Sequence, residues 1–355
     1  MIVRPIGFTA TIEGGRFIAR GLSSFHSLHR EKASAPVLGL VSGWWRLGER
    51  FGRRAVPIAL SAVTLLVAGA ALAAEGPPRV VASVLPLQAL AAGVMEGVAK
   101  PALLIPAASS PHTFALRPSN AIAIASADVV IWIGEGYETA LAKPMRSLAA
   151  SAQVLTLADE PDLVRYPYRS MGNRVEPDDH DADHAGIDPH LWLDPENGRR
   201  IAALFATRLS AIDPANAGRY RANAERLTRR IEALDRELEA SLRPYRDRPF
   251  VVLHDAYQYF ERRYGLTSVG AILIEPERSP GARRLRQIRE QIRSLGAACV
   301  FAEPQFPKAI ATTVADGLAR IDVLDPLGSG LESDADAYVH LLQRLGGAIA
   351  ACLGR

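Results

Sequence analysis

From residue 79 onward, short runs of consecutive apolar residues recur along the chain, separated by stretches of helical character. The first four runs lie at 79–85, 100–106, 128–133 and 153–157. They are continuous rather than alternating and rich in Val and Ile, which predicts strands buried on both faces. An Ala/Leu-rich stretch after Pro86 and another over 118–127 separate them, the rhythm of βαβ units in a parallel sheet. The second half repeats the pattern, with runs at 250–253, 267–273, 298–302 and 321–324 and a strongly basic helix over 281–295. The expectation is an α/β protein of two similar lobes, each a four-stranded, mainly parallel sheet flanked by helices.

Between the lobes, Asp213-Pro214 has the form of an N-cap followed by Pro at the first helical position. Leu227, Ile231, Leu234 and Leu238 then recur at helical spacing, and Glu225/Arg229 and Glu232/Arg236 are placed for i,i+4 ion pairs. Pro244 ends the stretch. About 30 residues at 1.5 Å rise make a rod of about 45 Å. This is either a rigid link between the lobes or a surface helix of one of them. The expected boundaries are a leader over 1–74, a first lobe over 75–212, a linking helix over 213–243 and a second lobe over 244–355.

Before residue 75 the pattern changes. Arg53 and Arg54 precede an apolar run, about 55–73, that ends in Ala71-Leu72-Ala73. A basic n-region, an apolar h-region and a small-x-small site predict a secretory signal cut after Ala73. The alternative is a single membrane anchor, since the run approaches the ~20 residues that span a bilayer. The small-residue ending and the early Pro57 favour cleavage. No fold is assigned to residues 1–52.

Charge supports setting this leader apart. Residues 1–74 hold nine Lys/Arg and three Asp/Glu, a net of +6, so the remainder carries −3 of the chain's +3. The basic balance belongs to the leader, and nothing points to a nucleic-acid partner. The two cysteines, Cys299 and Cys352, both follow the leader. In an oxidising compartment an even pair reads as a disulfide, with two buried thiols as the alternative. Closing a loop of that length stabilises by at most roughly 4 kcal/mol in the chain-entropy model.

The candidate chemistry is three histidines. His112 directly follows a strand-like run, and His254 closes one, so both are expected at carboxyl ends of strands, where open α/β sheets place their ligands. His190 lies in Asp188-Pro189-His190-Leu191-Trp192-Leu193-Asp194-Pro195, where two prolines stiffen the backbone and three apolar residues can bury it. Taken singly, each could be a buried histidine bonded to a carbonyl. Three neutral imidazoles suit Zn²⁺, with Zn–N near ~2.0–2.1 Å and a fourth position for water or a carboxylate. Asp325, in Leu324-Asp325-Pro326, is the candidate for that position; a loop-capping role is equally open. A short acidic tract within 176–187, containing His180, Asp181, Asp183 and His184, is either a flexible loop that captures metal weakly or a solvated linker. His340 is expected on the surface.

The segments Ser-Pro-His-Thr-Phe-Ala-Leu-Arg-Pro-Ser (110–119), Asp-Pro-His-Leu-Trp-Leu-Asp-Pro (188–195), Leu-His-Asp-Ala-Tyr (253–257), Phe-Ala-Glu-Pro-Gln-Phe (301–306) and Leu-Asp-Pro-Leu-Gly (324–328) resemble those of the periplasmic zinc-binding proteins of bacterial high-affinity zinc-uptake ABC transporters. The resemblance runs from about residue 78 to the end. It implies two lobes joined by a long helix, metal in the cleft, and His112, His190 and His254 as ligands. It also implies a Cys299–Cys352 bridge and delivery by a periplasmic monomer to an inner-membrane permease driven by an ATPase. Three departures stand out: Pro111 where some relatives carry a Glu that reaches the metal, a shorter His-containing loop, and a longer leader.

Manganese and iron relatives keep an acidic residue at the third position, where this chain has His254. Imidazole favours Zn²⁺ over the harder Mn²⁺. The rival from another class is a three-histidine zinc hydrolase or lyase, in which His254-Asp255 and Glu303 would supply an acid or base. In the carrier reading, Asp255 caps the next helix, while Glu303 orients a ligand or secures a strand end. A rigid linking helix predicts little domain closure, and release through local movement of the loops that carry the ligands.

Overall fold

The computed structural model describes residues 76–169, 186–274, 276 and 278–355. The expected leader and its h-region, and His180, Asp181, Asp183 and His184 of the acidic tract, lie outside these residues.

The apolar runs form strands where the pattern put them. In the first lobe these are β1 (Val80–Ala82), β2 (Ala102–Leu103), β3 (Val129–Trp132) and β4 (Gln153–Thr156), in the order β2-β1-β3-β4. In the second lobe β5 (Phe250–His254), β6 (Ser268–Leu273), β7 (Cys299–Ala302) and β8 (Arg320–Val323) repeat that order as β6-β5-β7-β8. Every pairing in the two sheets is parallel. Helices α1 (Leu85–Val94), α2 (Pro118–Ser126) and α3 (Thr139–Leu148) serve the first sheet. After α4 (Pro195–Ile212) and α5 (Ala217–Leu242), the second sheet is served by α6 (Gln258–Tyr264), α7 (Ala282–Leu295), α8 (Lys308–Ala315) and α9 (Ala337–Leu353).

The long helix α5 joins the lobes. Asp213 starts it, as its Asp-Pro signal predicts, but through a 3₁₀ turn at Pro214–Asn216 whose N–H at Asn216 bonds to the Asp213 carboxylate (3.3 Å). Leu227, Ile231, Leu234 and Leu238 are all buried. Glu232, placed for Arg236, instead takes the guanidinium of Arg199 on α4 (2.9 Å). A neighbouring helix thus occupies the face that spacing alone assigned to water. Asp194-Pro195 opens α4 with the same N-cap chemistry, the Asp194 carboxylate accepting from Glu196 N–H (2.9 Å).

The seam between the lobes is filled with side chains. A single contiguous apolar cluster runs from Val81 and Val130 of the first sheet through Trp192, Ile231 and Tyr259 to Phe250, Phe301 and Leu342. A smaller cluster, including Ile272, Ile288, Val300 and Val314, lies behind the second sheet. Helix α9, at the chain's end, packs against α5 and α1 as well as β8. It is stapled to β7 by the Cys299–Cys352 disulfide, with Cα atoms 6.3 Å apart. Its Tyr338 hydroxyl donates to the Trp192 carbonyl (2.7 Å), close behind His190. Gly198 makes room for that ring, since a Cβ there would lie 2.2 Å from the Tyr338 oxygen.

Candidate metal centre

In the order β6-β5-β7-β8 the chain leaves β5 on one side and returns to β7 on the other. The loops beyond β5 and β7 therefore diverge and leave a crevice at the carboxyl edge. His254 is the last residue of β5, and Glu303 follows β7 directly. Across that gap Glu303 Oε1 accepts from His254 Nδ1 (2.7 Å) and stands 3.4 Å from the His254 backbone nitrogen. In the first sheet the same gap is closed. There the Ser83 hydroxyl, after β1, donates to Glu138 Oε1 (2.5 Å), and the Glu138 carboxyl also takes the N–H groups of Ile133 and Gly134. Burial pushes the Glu138 pKa up to about 7.

His190 projects from an anchored base. The 3₁₀ turn after it buries Leu191, Trp192 and Leu193 completely, and the Trp192 indole donates to the Pro326 carbonyl (2.8 Å). Asp188 Oδ1 accepts both the His190 backbone N–H (3.0 Å) and Nδ1 (2.8 Å), while Gln258 donates to Asp188 Oδ2 (3.0 Å). His112 comes from the first lobe, on a 3₁₀ turn at Pro111–Thr113 in the β2–α2 connection.

These three side chains converge. One ring nitrogen from each of His112, His190 and His254 lies within 4.8 Å of the other two. The Nε2 atoms of His190 and His254 are 3.4 Å apart. Two nitrogens bound at ~2.0–2.1 Å in a tetrahedron stand roughly 3.4 Å apart, so this pair already has zinc spacing. The His112 ring is set further off, its centroid 6.0 Å from His190 and 5.9 Å from His254, against 5.3 Å between those two. Tyr137 stands edge-on to His112 (4.8 Å) and His190 (5.3 Å), and Phe306 lies 5.7 Å from His254, so aromatic rings wall the group.

The electrostatics suit a cation. Burial, then the neighbouring charge of His254 and His190, holds the His112 pKa well below the ordinary histidine value, leaving it neutral with a lone pair to give. At His254 burial pulls the pKa down, but the charge and hydrogen bond of Glu303 outweigh it and raise the net value. Two buried carboxylates, Asp188 and Glu303, thus sit behind two of the rings. As acceptors they fix each Nδ1 as donor and turn each Nε2 lone pair inward, and their charge would offset that of a cation held by the rings. Glu303→Gln or Asp188→Asn keeps a hydrogen-bonding side chain in place but removes a negative charge. Each is expected to weaken zinc binding about 10- to 100-fold in a chelator competition titration.

The other sequence candidates lie around this group. Asp325 follows β8 as expected, but its Oδ1 accepts from Gln305 (2.8 Å) and Leu327 N–H (3.0 Å), and its Oδ2 from Ser329 N–H. Asp255, expected to cap the next helix, instead pairs with Arg169 (2.7 Å); α6 starts at a different N-cap, Tyr257. His340 is exposed. Sequence reasoning assigned no role to Tyr137, Gln258 or Asp188. For Asp188 a signal was present, a carboxylate two residues before a histidine across a proline. For Tyr137 and Gln258 only the fold brings the side chain to the site.

The chain matches the family model described as "Zinc-uptake complex component A periplasmic" over residues 80–352. It is 41% identical over 318 residues to the high-affinity zinc uptake system protein ZnuA of Brucella suis biovar 1 (strain 1330), covering 81% of this chain and 95% of that protein. To the protein of the same name from Yersinia pestis it is 36% identical over 289 residues, covering 77% and 91%. Among solved structures, a crystal structure of ZnuA superposes with TM-score 0.66 at 25% identity, over 79% of this chain and 100% of that one. The periplasmic zinc-binding protein TroA from Treponema pallidum gives TM-score 0.66 over 79% and 100% at 18% identity, a likeness of fold alone.

Proposed function

The chain belongs to the family of periplasmic zinc-uptake complex components, and from that premise we propose that it captures Zn²⁺ with His112, His190 and His254 and hands it to an ABC permease powered by an ATPase. It is a periplasmic zinc-binding protein of a zinc-uptake ABC transporter, and Zn²⁺ is its cargo. The observation that carries the ligand assignment is the convergence of three imidazoles, drawn from both lobes, on one point between them.

Asp325 stays a brace for its loop in this reading, and a water completes the tetrahedron. The carrier acts as an exported monomer, its leader removed at the end of the 55–73 run. Among the described residues no helix is long and apolar enough to cross a membrane. The lobes are bounded at 75–212 and 244–355, with 213–243 as the link.

Three neutral nitrogen donors favour Zn²⁺ over Mn²⁺, so competition titration of the metal-free protein should show Zn²⁺ displacing Mn²⁺, and not the reverse. The filled seam and α5 oppose hinge bending. Small-angle scattering profiles with and without zinc are therefore expected to coincide. A marked compaction on loading would overturn the rigid-body part of this reading, and tighter Mn²⁺ than Zn²⁺ binding would overturn the cargo.

A further inference from the structure

Gln305 stands two residues beyond Glu303 in a tight turn, closed by the Phe306 N–H donating to the Glu303 carbonyl (3.2 Å). Pro304, with φ fixed, occupies the second place of that turn. Glu303 faces its own lobe and holds His254. Gln305 crosses to the other lobe: its amide donates to the Ala107 carbonyl (2.9 Å) and to Asp325 Oδ1 (2.8 Å), and lies 3.1 Å from the Ser329 hydroxyl. Ser329 donates to the same Ala107 carbonyl (2.8 Å). Ala107 belongs to the β2–α2 connection that carries His112. One backbone carbonyl of the first lobe is thus gripped by two side chains of the second, both braced by Asp325, whose Oδ2 accepts from Ser329 N–H.

The His190 side of the cleft is held differently. There Gln258 bonds Asp188 Oδ2 (3.0 Å), Tyr259 bonds the Asp188 carbonyl (2.9 Å), and Trp192 and Tyr338 bond across the seam (2.8 and 2.7 Å). Arg169, just before the acidic tract, pairs with Asp255 and Glu261 (2.7 Å each). These ties are fully buried or multiply charged, and they leave the His190–His254 pair at zinc spacing. The grip on Ala107 is half-buried and uncharged on both sides of its bonds, and the ring it serves is the one set back from the other two.

We propose that Gln305 is a positioning residue for the bound ion: its hold on Ala107 keeps the His112 loop against the site, and breaking that hold is the step that lets His112 withdraw and the ion leave. The proposal rests on the reading of the three histidines as zinc ligands.

The test is zinc release from the full-length loaded protein into excess chelator, followed by stopped flow, for wild type, Gln305→Ala, Ser329→Ala and His112→Ala, and for Gln305→Ala combined with His112→Ala. Gln305→Ala is expected to speed release by about tenfold or more, the scale of losing an outer-shell partner, with the association rate unchanged. In the His112→Ala background the same substitution should add nothing, because the residue it serves is gone. Ser329→Ala removes one of the two donors and should give a smaller effect of the same sign. It also keeps the test open should Gln305→Ala fold poorly. Wild-type release rates in both single variants would overturn the proposal. So would an equal acceleration by Gln305→Ala with and without His112, which marks general loosening. A wild-type protein that takes up no zinc in the preceding titration would overturn the ligand reading itself, a failure visible before any variant is compared.

Discussion

Alanine in place of any one of His112, His190 or His254 is expected to weaken zinc binding by more than about 100-fold, above the range that loss of an outer-shell partner produces. In the proposed ligand set each ring supplies one of three protein nitrogens, and this group of the described residues contains no carboxylate to replace it. The check is competition titration against a calibrated chelator. An affinity within tenfold of wild type in any one variant would remove that residue from the ligand set.

The metal-free variants should separate by stability in a definite order. His112→Ala is expected to cost least, because its ring comes from a loop rather than a core strand and has been set back from the others. His190→Ala leaves Asp188 with the residue-190 backbone N–H and Gln258 as donors. His254→Ala leaves a fully buried Glu303 with only the long contact from the residue-254 backbone nitrogen (3.4 Å), and its other oxygen lacks a hydrogen bond. Breaking a buried pair in this way costs about 3–5 kcal/mol. Thermal melts of the three apo proteins read the order directly, while added zinc should stabilise only the wild type strongly, since ligand linkage scales with affinity.

Much of this was legible in the sequence, and the reasons differ by element. Parallel strands covered on both faces must be apolar at every position, so β1, β3, β5 and β7 announce themselves in one dimension. Two of the three histidines were legible for a related reason: His254 ends such a strand, and His190 sits in a stretch whose prolines and apolar trio fix it locally. Helix α4 carried the same Asp-Pro start as the linking helix, but the histidine-containing segment 188–195 that ends in Asp194-Pro195 overlaps it. What could not be read is whatever depends on the sheets meeting. Glu303 could be argued into several roles until the order β5-β7 placed it opposite His254. Asp255 had a helix to cap next door and was taken instead by Arg169, 86 positions away in sequence. The Gln305–Ala107 contact spans 198 positions, which no local pattern encodes.

The same distinction between local and long-range ties governs the disulfide. Replacing both Cys299 and Cys352 with serine is expected to lower stability by about 4 kcal/mol, the chain-entropy figure for a closed loop of some fifty residues, and so the melting temperature by roughly 7 °C for a domain of this size. Zinc affinity should stay within a few-fold of wild type. Helix α9 keeps its seat without the bridge, because Leu341, Leu342, Leu345, Ile349 and Leu353 bury one whole face of it. Tyr338, at the far end of α9 from Cys352, would continue to hold the Trp192 carbonyl behind His190. The bridge therefore acts chiefly on the unfolded chain, by shortening the loop that folding must close, and on the last turn of α9. Calorimetry and a zinc titration on the double-serine protein separate the two contributions. A large loss of affinity alongside the lowered melting temperature would show instead that the bridge is needed to place α9, and through Tyr338 the His190 segment, in the native state.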